Sequence, residues 1–268
     1  AGLPVAPAGP HEKTMRRAIG RLLHVDDEER LGTWRRLLAA PAPPDLAVLP
    51  LRQRRQLRML VESLCGPAFG NDRSLAHGVA LVWQHPQVRD ELCALFDLLD
   101  HRIDHLHTPL ESQPNVPLLV HARYTRIEIL SAFLGVDEGR TDNWREGVSW
   151  IEGASSDVFV FTLDKTDGQF SPTTRYRDYA ISPTLIHWES QSLTRAESPT
   201  GRRYRTHAAG GSHVHLFARM RQDERAFWYL GPAVYVAHEG EQPMAITWRL
   251  RWALPGDLFA TFAAAAVA

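Results

Sequence analysis

The sequence predicts an α+β protein: a helical module first, then an all-β unit closed into a barrel or a tight sandwich. Three observations predict it. From Glu12 to His107 apolar residues recur at three- and four-residue spacing, the period of an amphipathic helix. From about Gly147 the period drops to two, the period of a strand. Between the two regimes, TPLESQPNVP (108–117) carries three prolines and marks a candidate boundary.

In order along the chain, AGLPVAPAGP (1–10) reads as a linker. Helices are expected at TWRRLLAAP, LRQRRQLRMLVESL and VRDELCALFDLLDHRIDHL. In the last of these Val88, Leu92, Leu95, Phe96 and Leu99 share one face. Pro41, Pro43, Pro44 and Pro86 fall between the segments, where they stop or start helices. ARYTRIEILSAFLG predicts one more helix ending at Gly135. DVFVFTL places Phe159, Phe161 and Leu163 on one face and Val158, Val160 and Thr162 on the other. VHLFARM, FWYLGPAVYVAHEG and MAITWRLRW follow as strands divided by Gly or Pro turns, for five to seven short strands in all. The organisation expected is a linker (1–10), a helical module (11–118), a β-barrel domain (119–260) and a tail (261–268).

Composition excludes several classes. A net charge of −1 over 268 residues is not that of a polycation built for nucleic acid throughout. The balance hides an asymmetry: Arg195, Arg202, Arg203, Arg205, Arg219 and Arg221 stand against Glu197 alone, while HVDDEER near the start is acidic. Of the 30 basic residues only Lys13 and Lys165 are lysines, a bias of composition rather than of function. Two cysteines, Cys65 and Cys93, do not make a disulfide scaffold, so a cytoplasmic location is expected. No run reaches the roughly 18 apolar residues that span a bilayer, and the first ten residues lack the layout of a signal peptide. No membrane partner is expected. Neither a glycine-rich phosphate loop nor a GxSxG elbow is present, so this chain is expected to carry no catalytic residues, cofactor or metal of its own.

The stretch SPTLIHWESQSLT (182–194) carries the chemistry. As a strand it places His187, Glu189 and Gln191 on one face and Ile186, Trp188 and Ser190 on the other. One reading is a nuclease, with Asp178, Glu189 and Gln191 as a variant of the PD-(D/E)xK metal site and Lys165 recruited from elsewhere. The other is a base-reading pocket. Tyr176, Tyr179 and Trp188 offer aromatic faces for an extruded base, and Asp178, Ser190 and Gln191 can hydrogen-bond its edge. The segment SPTGRRYR, with Ser198, Thr200, Arg202, Arg203 and Arg205, suits phosphate contacts as a loop. A bland alternative applies throughout, because Trp and Tyr in a small barrel usually build its core and rim. His101, His105 and His107, like His213 and His215, lack companion ligands and read as surface histidines rather than a zinc site.

Taken together, VPLLVHARYTRIEIL, VFVFTLDKTDGQFSPTTRYRDYAISPTLIHWESQS, SPTGRRY and FWYLGPAVYVAHEGEQPMAITWRL resemble a C-terminal domain of unknown function that follows DEAD/DEAH-type (superfamily 2) helicases in bacteria. LLHVDDEERLGTWRRLL resembles the helical segment leading out of such a helicase core. Some members are similar to type IV restriction enzymes used in antiphage defence, with a phospholipase-D-type nuclease, a helicase and an SRA-like target reader. The resemblance implies a PUA/SRA-like β-barrel that flips a modified base, 5-methylcytosine or 5-hydroxymethylcytosine first. Its partners would be double-stranded DNA carrying that base and the helicase and nuclease domains of the same polypeptide. The family motif has Gln where this sequence has Glu189, which weakens a metal role for that carboxylate. It carries over His187, Trp188, Ser190 and Gln191, with Tyr176, Asp178 and Tyr179 from YRDYA. Lys165, Arg175, Arg177, Ser198, Thr200, Arg202 and Arg203 are the candidate phosphate contacts. The competing view is an interaction or autoinhibitory module that docks on the helicase without touching bases.

Overall fold

The computed structural model describes residues 9–135, 144, 146–163 and 178–264. They fall into two compact units. One takes the described parts of 1–104, 109–118 and 126–142; the other takes 105–108, 119–125 and the described part of 143–268. No helix among the described residues is long and apolar enough to cross a membrane.

The first unit is helical: α1 (Glu12–Ile19), α2 (Glu28–Leu38), α3 (Leu51–Cys65), α4 (Leu75–Trp83), α5 (Pro86–Asp100) and α6 (Arg126–Phe133). Their starts follow local chemistry. Asp27 accepts the Arg30 N–H ahead of α2, Ser74 accepts the His77 N–H ahead of α4, and Pro86 occupies the first position of α5. Every residue of α3 from Gln56 to Cys65 is buried, and α1, α2, α4 and α6 all pack on it. On α5 the expected stripe holds for Val88, Leu92, Phe96 and Leu99, while Leu95 is half-buried. The Phe96 ring lies 5.3 Å from that of Trp34.

The acidic HVDDEER segment is not a solvated face. Arg30 is fully buried, ion-paired to Asp27 and donating from Nη1 to Glu128 Oε1 of α6 at 3.0 Å. His24 Nε2 lies 2.7 Å from the other Glu128 oxygen. A charge with no water around it persists only with such partners. Both cysteines are free thiols. Burial, reinforced by the Glu62 carboxylate, pushes Cys65 up to about 12, which leaves it an inert core residue.

The second unit is built on an eight-stranded sheet. Its strands are β1 (Arg123–Thr125), β2 (Val148–Ile151), β3 (Ser156–Thr162), β4 (Tyr179–Ser182), β5 (Leu185–Glu189), β6 (His213–Arg219), β7 (Ala226–Glu239) and β8 (Ala245–Leu250). The order is β2-β3-β6-β7-β8-β5-β4, with β1 pairing on β7. All neighbours are antiparallel except β3 and β6, which run parallel. Two helices accompany the sheet, α7 (Pro199–Thr206) and α8 (Gly256–Ala264).

Several expectations need correcting. No pairing joins β2 to β4 among the described residues, so the sheet is open and the closed barrel is not formed there. It is strongly coiled instead. FWYLGPAVYVAHE lies within one 14-residue strand, Ala226–Glu239, in which Gly231 adopts φ 99° and absorbs an irregularity. At that point the register of β7 against β6 slips, and it slips against β8 at Thr247/Trp248. Such bulges bend a strand and increase its twist. The coiling brings Phe159 of β3 face to face with Trp188 of β5, ring centroids 4.4 Å apart, although three strands lie between them in the sheet. These rings, with Tyr204, Leu216, Leu230, Ile246, Trp248 and Phe262, form the core. Strand β3 is buried at every position, so the two-faced reading of DVFVFTL describes two covered faces. Helix α8 runs across the expected boundary between domain and tail at 260/261, and its Phe262 is 1% exposed.

Candidate functional site

The motif SPTGRRYR, expected as a phosphate-holding loop, is the helix α7 with its cap, and most of its residues have structural work. Ser198 Oγ accepts the Gly201 N–H at 3.1 Å and donates to the Arg195 carbonyl at 2.7 Å. Pro199 takes the first helical position and needs no hydrogen-bond partner for its nitrogen. A Cβ on Gly201 would lie 2.0 Å from the Arg195 carbonyl oxygen, so only glycine fits beneath the incoming chain. Tyr204 is in the core, edge-on to Phe159 at 5.0 Å. Arg203 donates from Nε and Nη2 to both oxygens of Asp157 at 2.7 and 2.8 Å. Thr200 is half-buried in the first turn, and Arg202 is exposed beside Glu197.

HWESQS divides as strand alternation requires. Ile186, Trp188 and Ser190 point inward and are buried, His187 and Glu189 are half-buried, and Gln191 is exposed. Trp188, at 4% exposure and stacked on Phe159, is a core ring. Ser190 is tied to the strand opposite: its N–H donates to the Met244 carbonyl at 2.9 Å, and its Oγ accepts the Met244 N–H at 2.9 Å. These two residues support the site from below.

At the end of β4 and β5 the structure brings four candidates together, Tyr179, His187 and Gln191 on the outward side and Asp178 buried behind them. Tyr179 and His187 are cross-strand partners with rings stacked at 4.7 Å and 12°. Asp178 precedes β4, is buried, and accepts the Glu189 N–H at 2.9 Å, which locks the carboxylate to the end of β5. One residue past that end, Gln191 donates from Nε2 to Glu146 at 3.2 Å, and Glu146 leads into β2 at the far edge of the strand order. The coiled sheet thus gathers Asp178, Tyr179, His187, Glu189, Gln191 and Glu146 around one end. Two stacked rings beside carboxylate and amide acceptors suit a planar ligand that carries hydrogen-bond donors. Lys165, Arg175, Tyr176 and Arg177 lie outside the described residues.

Among the described residues no group of three or more His, Cys, Asp or Glu side chains is placed to hold a metal ion. His101 follows the end of α5 and lies against the Asp97 carbonyl. His105 pairs with Asp257 at 3.0 Å and meets the edge of Trp228. His215 is buried with Nδ1 2.7 Å from the Tyr229 hydroxyl, and burial pushes it down to about 3, so it stays neutral. His207 is also lowered by burial, and its Nε2 accepts the Tyr235 N–H at 3.2 Å. Burial raises the Asp157 carboxyl while Arg203 pulls it back.

Sequence reasoning missed Asp157, Glu146 and Trp150. Asp157 left a signal, a lone carboxylate at the head of the apolar run VFVF, which demands a buried counter-charge. Trp150 is 39% exposed on the edge strand β2, with the Arg203 guanidinium 4.5 Å from its ring centre.

A family model described as a domain of unknown function, DUF3427, matches residues 118–262. No curated protein matches the chain. Among solved structures, that entitled "The 5-Hydroxymethylcytosine-Specific Restriction Enzyme AbaSI" is similar at 10% identity, with a TM-score of 0.31. The match covers 66% of this chain and 55% of that one, so it spans little more than half of the solved chain.

Proposed function

The chain belongs to the DUF3427 family, and from that premise we propose that it is the DNA-binding target-recognition region of a helicase-type, modification-dependent restriction enzyme. In this reading it contributes no catalytic step. It reads 5-methylcytosine or 5-hydroxymethylcytosine by flipping the base into a site of PUA/SRA-like character. The helicase and nuclease domains of the same polypeptide supply ATP-driven movement and cleavage.

The observation that carries the reading is the cluster at the end of β4 and β5. Tyr179 and His187 offer a stacked aromatic surface on the side away from the core. The Asp178 carboxylate, fixed by the Glu189 N–H, is an acceptor of the kind that reads the exocyclic amine of cytosine. With Trp188 committed to the core, the stacking role passes to Tyr179 and His187. Arg202, exposed on α7, suits a phosphate contact, which positions DNA without reading it. A gel-shift comparison of matched duplexes carrying cytosine, 5-methylcytosine or 5-hydroxymethylcytosine tests the reading. Tighter binding to one modified duplex is expected; equal binding to all three would remove the base-reading step.

A second reading has its own observation. Ile181, Val234 and Val236 are 45%, 44% and 39% exposed on β4 and β7, apolar surface of the kind that docks on protein. Docking on the helicase would show as co-purification with the helicase domain without DNA, lost on Ile181→Asp.

A further inference from the structure

Trp150 sits directly opposite Asp157 in the β2–β3 pairing. Asp157 is 1% exposed and holds Arg203 through two parallel hydrogen bonds at 2.7 and 2.8 Å. That fork fixes the guanidinium over the Trp150 ring at 4.5 Å. Arg203 spends Nε and Nη2 on Asp157, while its Nη1 makes no hydrogen bond among the described residues and its side chain is 29% exposed. The result is an exposed indole backed by a cation whose position is set from beneath by a buried carboxylate. On the neighbouring helix segment Arg202 and Arg205 both pair with Glu197, and Arg202 keeps its side chain 65% exposed.

Trp150 is 39% exposed, so part of its ring is open to a ligand. A rigid ring with a fixed guanidinium alongside it matches the two parts of a nucleotide: a flat base that stacks and an anionic phosphate that accepts from the cation. We propose that Trp150 and Arg203, positioned by Asp157, form a contact site for one unstacked nucleotide of a DNA strand, distinct from the Tyr179–His187 cluster. The base lies on the exposed indole and the phosphate takes the Arg203 Nη1. The site rests on the DNA-binding reading above and adds a second anchor at the other edge of the strand order. Arg202, exposed one residue earlier on α7, supplies charge to the same strand. Asp157 is a positioning residue and touches no nucleotide.

The test uses the whole chain and fluorescein-labelled DNA of one sequence, presented as a modified duplex and as a single strand, with affinity read by anisotropy across a salt series. Arg203 is left intact, because removing it would strand Asp157. Trp150→Ala is expected to weaken binding about five- to a hundredfold, the range for losing one base stack, with no change in salt dependence. Trp150→Phe is expected to recover most of the affinity. Arg202→Gln is expected to reduce the slope of log affinity against log salt by about 0.7–0.9, as one lost phosphate contact does. Melting temperatures of all three variants matching the parent would show that folding is not the cause. If the parent chain binds neither DNA form, the DNA-binding reading falls and this site with it. If the parent binds and Trp150→Ala binds equally well, only this site is overturned.

Discussion

Replacing Arg203 with Met keeps an unbranched apolar stem and removes the guanidinium and its charge. Asp157 then remains 1% exposed with both hydrogen bonds gone. Breaking a buried ion pair from one side costs about 3–5 kcal/mol. Arg203 is 29% exposed, which lets water replace part of what is lost, so about 3 kcal/mol at pH 7 is expected. The pH dependence makes the reasoning specific. Burial raises the Asp157 carboxyl above its ordinary 3.8, and Arg203 opposes that rise. Without Arg203 the carboxyl rises further. A folded-state value above the unfolded one means the folded protein holds its proton to higher pH. Stability is then fully present below 3.8 and lost as pH rises through the folded value. The deficit of Arg203→Met relative to the parent should therefore be largest at pH 7 and shrink as pH falls toward 4. Asp157→Asn in the same background should recover stability at neutral pH, since an amide needs no counter-charge. Urea unfolding of the parent, the single variant and the double variant at pH 7 and 4.5 measures this. A deficit equal at both pH values, or a double variant no more stable than the single one, would refute the role assigned to the pair.

Trp188→Ala and Tyr179→Ala should part company. The first empties a core position against Phe159 and should cost about 3–5 kcal/mol in chemical unfolding. The second should leave the unfolding midpoint nearly unchanged and weaken binding to a modified duplex about five- to a hundredfold by anisotropy. Gly201→Ala puts a methyl group 2.0 Å from the Arg195 carbonyl oxygen and should destabilise by at least about 1–3 kcal/mol, read as a lower melting temperature. His121 is pushed down from 6.5 to about 4, chiefly by burial and then by His105 and His107. Stability from its neutral form is full above 6.5 and lost as pH falls toward 4, by up to about 3 kcal/mol. His121→Asn, which tolerates the φ of 72° at this position, should flatten that slope in urea midpoints taken from pH 7.5 to 4.5.

The division into a helical part and a sheet part was legible because each rests on local periodicity. Val88, Leu92, Phe96 and Leu99 needed only their spacing to declare a buried stripe. The same logic placed Trp188 and Ser190 on one side of β5 and His187 and Gln191 on the other. It could not say which side faced the core, because both sides carry an aromatic or polar residue. HVDDEER read only as acidic for a similar reason: the sequence shows five charges in a row but not Glu128, 98 residues beyond Arg30, which closes around it. SPTGRRYR looked like a loop because Ser, Pro, Thr and Gly mark both turns and helix caps.

By itself, then, the sequence determined the two regimes of secondary structure, the alternation within HWESQS and the absence of a phosphate loop or nucleophile elbow, since all of these are properties of neighbours along the chain. Only the tertiary structure decided that the sheet stays open among the described residues, that Arg203 serves Asp157 before anything else, and that Trp150 is left at the surface. Those outcomes depend on the coiling set by the bulges of β7, which brings β3 against β5 and Glu146 against Gln191. Coiling is a sum over many strand pairings, so no single stretch of residues announces it.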